Sequence, residues 1–153
     1  MRVHVIWPGK TKNAHLRALS DDYLKRISHF VRCDVTELRV NSTGNSEVGI
    51  DRESKRISDA LSKDDVSVLL DLEGDEWSSE ELAQQVKRWE NSGTKSVAFV
   101  VGGPDGVSER LLSQIDRRWS LSRLTFTHET ARVLLLEQLY RAYAINHGLP
   151  YVK

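Results

Sequence analysis

The sequence predicts an α/β protein, a parallel sheet with helices on both of its faces. Three observations predict it. Strand-like and helix-like periodicities alternate along all 153 residues with no repeat, low-complexity tract or linker between them, the order that successive β-α-β units produce. Two strand-like runs, residues 66–72 and 97–101, are apolar on both faces, as strands covered from both sides are. The second run stops abruptly at Gly102-Gly103-Pro104-Asp105-Gly106. That loop marks the carboxyl edge of a central strand, where open α/β sheets bind their ligands.

The elements follow in order. Residues 2–7 read as a strand closed by Pro8-Gly9. Leu16, Leu19, Tyr23, Ile27 and Phe30 recur at helical spacing and predict an amphipathic helix over 13–30. Residues 34–40 alternate as a second strand, and residues 41–46 form a polar loop, the segment expected to move most. A charged helix over 51–62 turns Ile57 and Leu61 inward. The third strand, 66–72, runs into an acidic turn over 71–76. Ser78-Ser79-Glu80-Glu81 has the form of a capping box, opening a helix that carries Leu82, Val86 and Trp89 inward and ends at Asn91-Ser92-Gly93. A short helix over 108–116 follows the glycine loop. The last helix starts near Thr130 and stops at Gly148, with Pro150 just beyond.

That last helix spreads Val133, Leu134, Leu135, Leu136, Leu139, Tyr140, Tyr143 and Ile145 around most of its circumference. A helix apolar nearly all round is buried on more than one side, so a second subunit is the expected partner. Residues 1–153 are read as one domain. No stretch approaches the roughly 20 apolar residues of a membrane span, and the first residues start a strand rather than a signal peptide. A single cysteine, Cys33, lies in an apolar stretch, which predicts a buried thiol and a reduced, cytoplasmic setting.

Zero net charge hides segregation. Residues 1–40 carry 8 Lys and Arg against 4 Asp and Glu, residues 41–106 carry 7 against 14, and residues 107–153 carry 7 against 4. If the two basic ends meet in space they present a basic face to nucleic acid; otherwise the charges solvate helix surfaces.

The glycine loop is neither a Walker A loop nor a GxGxxG fingerprint. It is a ligand cradle or a structural turn. No HxH or HExxH spacing gathers the five histidines, so no metal is expected. No nucleophile elbow or Cys/His pair is present. His128, ahead of Arg132 at a helix entrance, is either a base or a packing residue of the helix start.

One combination of residues is specific. Gly102-Gly103-Pro104-Asp105-Gly106, then Trp119-Ser120-Leu121-Ser122, Leu124-Thr125-Phe126 with His128, Arg132-Val133, and Glu137-Gln138-Leu139-Tyr140-Arg141-Ala142 resemble the RlmH family. Gly9-Lys10, Tyr23-Leu24-Lys25-Arg26 and Pro150-Tyr151 extend the match along the whole chain. These are small SPOUT-class methyltransferases of large-subunit ribosomal RNA. The resemblance implies an α/β fold whose C-terminal part threads as a trefoil knot, against the general rule that chains do not knot. It also implies a homodimer, S-adenosylmethionine bound in the knot, and methylation of N3 of a pseudouridine in the assembled ribosome.

Carried over by position, the cofactor residues are Leu70, Gly102 and Gly103, with Leu121, Ser122, Arg123, Leu124, Thr125 and Phe126 wrapping the ligand. The catalytic set is His128, Arg132, Arg141 and Tyr151. His128 is the candidate base, and the two arginines hold phosphates or stabilise an imide anion. Two positions depart from the family pattern. Thr127 replaces the usual proline before the histidine, which implies a less rigid loop, and Val152 replaces a histidine of the tail. Val152 favours a rival reading, a ribosome- or RNA-binding homologue that keeps the cofactor but not turnover. A phosphate-binding α/β regulator is a third reading, opposed by the absence of a lysine in the glycine loop.

Overall fold

The structure is a computed structural model that describes residues 1–40 and 47–150. The polar loop expected at 41–46 and the tail residues Tyr151 and Val152 lie outside the described residues.

Strands and helices alternate, four strands as expected and a fifth, β5, that the sequence reading did not mark: β1 (Arg2–Pro8), α1 (Ala14–Ile27), β2 (Arg32–Leu38), α2 (Glu47–Leu61), β3 (Val66–Glu76), α3 (Ser79–Asn91), β4 (Ser96–Val100), α4 (Glu109–Gln114), β5 (Arg117–Ser120) and α5 (His128–Asn146). The five strands form one sheet in the order β2-β1-β4-β3-β5. Every pairing is parallel. β4, the glycine-loop strand, is therefore the middle strand.

Alternation along the strands divides the interior into two layers. Val3, Val5, Trp7, Val97 and Phe99 face α1, α3 and α5, with Ile27, Leu82, Val86, Leu136 and Leu139 filling that side. Ile6, Leu69, Ala98 and Val100 face Ile57 of α2 and Leu111 of α4. Helices cover both faces, three on one and two on the other.

Caps fix the helix starts. Asn13 accepts from the N–H groups of His15 and Leu16, and Ser78 and Glu81 form a reciprocal capping box. Thr127 caps α5 by accepting from Thr130 N–H at 3.3 Å. The threonine that stands where the family usually has proline is thus an N-cap, and α5 starts at His128, a little before the start near Thr130 that periodicity suggested. A cap lies outside the apolar repeat, so periodicity does not register it.

Two further expectations change. The acidic turn after the third strand is a bulge inside a longer strand: Leu70 and Asp75 both pair with Trp119, and residues 71–74 loop out between them. Gly74 permits this, because a Cβ there would lie 2.5 Å from the Arg118 carbonyl carbon. The second change concerns α5, which lies between α1 and α3 on the sheet. Its broad apolar surface is satisfied within one subunit, and Leu139 and Tyr143 are core residues at 0% and 3% exposure. The circumference of α5 is therefore no argument for a subunit interface. Cys33 is half-buried rather than fully enclosed, and burial, helped by Asp34, pushes its thiol up to about 12, so it is inert at neutral pH.

Candidate active site

Three segments converge at the carboxyl edge of the sheet. The end of β3 supplies Leu69, Leu70 and part of the bulge, the loop after β4 supplies Gly102, Gly103 and Pro104, and the segment leading into α5 supplies residues 120–122 and 124–128. Together they enclose a cleft of about 700 Å³, a size suited to a small-molecule ligand. Leu70, Gly102, Gly103, Leu121, Ser122, Leu124, Thr125 and Phe126 all line it. Arg123 is exposed and does not.

The walls join apolar side chains to open backbone. Leu72, Leu124 and Phe126 remain 52%, 71% and 39% exposed at the cleft, the condition of groups that await an apolar or aromatic partner. Ser122 organises the segment, its Oγ accepting from Leu124 N–H at 3.0 Å and its carbonyl accepting from Ser120 Oγ at 2.8 Å. Asp71, Glu73 and Arg118 add charge at the same mouth, with Asp71 and Arg118 3.6 Å apart. Sequence reasoning placed a ligand at this edge but did not name these three. The signal was available, since the rule that ligands bind beyond strand ends applies to β3 as much as to β4.

His128, the first residue of α5, forms part of the wall of the cleft. Its pKa is held below the ordinary histidine value, first by burial, then by the Arg132 guanidinium, with Glu129 opposing and Lys12 adding to the effect. A neutral imidazole at physiological pH is competent to take a proton.

Arg132 is placed differently from the sequence expectation. It is 1% exposed, and its guanidinium donates to the Pro8 carbonyl at 2.6 Å, the Gly9 carbonyl at 3.2 Å and Thr11 Oγ1 at 3.0 Å. It also lies 5.0 Å from the Trp7 ring centroid. These contacts commit both terminal nitrogens to the segment of residues 8–11 and leave only the buried Nε without a partner, so it does not face the cleft with a free fork for phosphate or an imide anion. Glu129 holds the other side of that loop, accepting from Lys12 and Asn13 N–H at 3.1 and 3.0 Å. The Asn13 N–H is the largest of the influences that lower its pKa.

Arg141 is farther away. It lies on α5 in an ion pair with Glu137 at 3.0 Å, and a helix rising 1.5 Å per residue separates it from His128 by roughly 20 Å. One subunit does not bring the two together. Among the described residues no three His, Cys, Asp or Glu side chains gather as a metal site, and no helix is long and apolar enough to cross a membrane.

A parallel α/β sheet with a glycine loop and a second backbone-rich loop closing one cleft defines an α/β protein with a pocket of small-ligand size and a histidine in its wall. The family follows from comparison: residues 1–151 match the model described as predicted SPOUT methyltransferase. The chain belongs to the SPOUT methyltransferase family. It is 38% identical over 153 residues to ribosomal RNA large subunit methyltransferase H of Desulfotalea psychrophila, covering 100% of both chains. It is 40% identical over 151 residues to the protein of that name from Geotalea daltonii, covering 99% of each. Among solved structures, a probable methylase family protein from Haemophilus influenzae matches with TM-score 0.59 at 11% identity, over 99% of this chain and 70% of that one. A probable methyltransferase from Bordetella pertussis matches with TM-score 0.58 at 14% identity, over 93% and 96%. These two likenesses concern the fold.

Proposed function

We propose that this protein methylates N3 of a pseudouridine in large-subunit ribosomal RNA, with S-adenosylmethionine as donor. The observation that carries the reading is the cleft itself. Eight of the nine cofactor positions carried over from the family resemblance, separated by up to 56 residues in sequence, fall on its wall. Apolar side chains beside bare glycine backbone suit an adenine ring and an extended amino-acid moiety. When bound, S-adenosylmethionine supplies a methyl group on a sulfonium, open to in-line displacement by a nucleophile.

The remaining work belongs to the chain. Residues 121–126 and the glycine loop orient the donor, and His128 takes the imide proton of the acceptor base. Arg132 is a positioning residue: it fixes the loop of residues 8–12, which carries Lys10 and Lys12 toward the RNA. Arg141 and Tyr151 act on a neighbouring subunit's cleft, in a homodimer. The distance of Arg141 from its own His128 supports that arrangement. The trefoil knot belongs to the same reading, supported by residues 121–122 and 124–127 meeting both strand ends in one cleft. The setting is cytoplasmic, where ribosomes are.

The test uses labelled S-adenosylmethionine with 70S ribosomes and with separate subunits, followed by mapping of the methylated nucleotide. Methylation of one large-subunit pseudouridine is the expected result. Cofactor binding without transfer to any ribosomal substrate overturns the catalytic reading in favour of a ribosome-binding homologue.

A further inference from the structure

A second cleft, about 600 Å³, opens beyond the carboxyl ends of β1 and β2. It shares Gly103, Pro104 and His128 with the first, so the two are neighbours across one thin wall. Its lining carries Lys10, Lys12 and Arg39 with three carboxylates: Glu129, which accepts from the Lys12 and Asn13 N–H groups, Glu37, which accepts from Trp7 Nε1 at 3.2 Å, and Glu53 of α2. Glu53 is half-buried, and its Oε1 would lie 2.7 Å from a Cβ at Gly103. The helix is held there firmly, since the adjacent Ser54 is buried and accepts from Ser108 N–H at 2.9 Å. A carboxylate therefore stands at the junction of the two clefts on a rigid element.

Resting on the proposed function, we propose that the second cleft is the acceptor-nucleotide site and that Glu53 reads the base by accepting its N1–H. The chemistry follows from the ring. N3 is the atom that receives the methyl group, so it turns to the cofactor cleft and its proton goes to His128. The other ring N–H of a C-linked uracil is N1–H, on the far side of the C2 carbonyl. In uridine that nitrogen carries the sugar and has no hydrogen. Glu53 is half-buried and already accepts from the Gly103 N–H; a bound nucleotide desolvates its remaining lone pairs, and leaving these without the N1–H donor is costly, which makes such a contact discriminating. Burial is the leading influence on Glu53 and raises its pKa, partly offset by the nearby Gly103 N–H, increased by Asp105 and offset again by Arg56. Lys10, Lys12 and Arg39 hold the flanking phosphates and carry no sequence information.

The experiment measures kcat/KM on two ribosome preparations, one carrying pseudouridine at the mapped position and one carrying uridine there. Wild type, Glu53→Gln, Glu53→Ala and Lys12→Ala are compared, each with a calorimetric S-adenosylmethionine titration. Wild type prefers pseudouridine by at least about 10²-fold. Glu53→Ala loses most of that ratio and Glu53→Gln part of it, both with unchanged cofactor affinity. Lys12→Ala weakens both substrates together, preserves the ratio and flattens the salt dependence. A ratio preserved in Glu53→Ala overturns the assignment, as does a wild type that methylates both ribosomes equally. A wild type that transfers methyl to neither overturns the proposed function itself.

Discussion

The two edges of the sheet each hold a histidine, and they use it in opposite ways. At the amino edge, His4 is 7% exposed and both ring nitrogens have partners, Nδ1 with Asp64 Oδ2 at 2.8 Å and Nε2 with Thr36 Oγ1 at 2.7 Å. Asp64 is fully enclosed and also accepts from Arg2 at 2.8 Å. Asp65 and Asp116 are committed too, the first to Lys95 N–H at 2.7 Å and the second to Ser67 N–H at 2.8 Å. At the carboxyl edge, His128 faces the cleft and its ring has no hydrogen-bond partner among the described residues. Polar groups that bond within the chain hold strands in register. Polar groups left unpaired at a cleft remain available to a ligand. Histidine identity says nothing about which role applies.

This contrast can be broken by substitution. The largest expected effect is at Gly103. Gly103→Val removes measurable S-adenosylmethionine binding while leaving thermal stability close to wild type: the added Cβ meets the Glu53 carboxylate on the second-cleft side at 2.7 Å, and the glycine-loop backbone that lines the cofactor cleft on its other face must shift to make room. Calorimetry and thermal unfolding together check it, and wild-type affinity would take the glycine loop out of the site. At the opposite edge, Asp64→Ala destabilises by about 1–3 kcal/mol, since it leaves His4 Nδ1 without its partner and Arg2 with only the longer ion pair to Asp34 at 3.5 Å. Denaturant unfolding measures this, and cofactor affinity of the folded fraction stays as in wild type. A stable Asp64→Ala protein with damaged cofactor binding would collapse the distinction between the edges.

Next in size, His128→Ala lowers the single-turnover methyl-transfer rate on ribosomes by about 10²-fold, with little change in either binding step. An unchanged rate returns His128 to a packing role at the helix start. The smallest effect is the pH profile. Burial, Arg132 and Lys12 depress the His128 pKa, so the basic form predominates at neutral pH. The rate is therefore level above pH 7 and declines only below the ordinary histidine range of about 6.5. His128→Ala flattens that acid limb. A wild-type limb centred above 7 would contradict the depressed pKa.

Legibility in the sequence tracked how local each signal was. The β4 strand and its glycine loop were plain because strand, break and loop are contiguous. The capping box at Ser78 and Glu81 was legible for the same reason. Arg132 was misread because residue type announces five donors without saying where they go, and only the fold brings Pro8, Gly9 and Thr11 to them. Glu53 was passed over altogether. On its helix it is one charged residue among many, and nothing nearby in sequence marks it as the neighbour of Gly103.

The sequence by itself determined the α/β class, the order of all elements but β5, the edge at which the first cleft opens and the family pattern. These depend on periodicity and on short motifs, which are properties of adjacent residues. Tertiary structure alone decided the strand order β2-β1-β4-β3-β5, the enclosure of α5 between α1 and α3, and the sealing of Arg132. It also decided the two clefts that share His128 and Gly103. Periodicity records which face of an element is buried but not which element buries it. That choice is made by contacts between residues far apart in the chain.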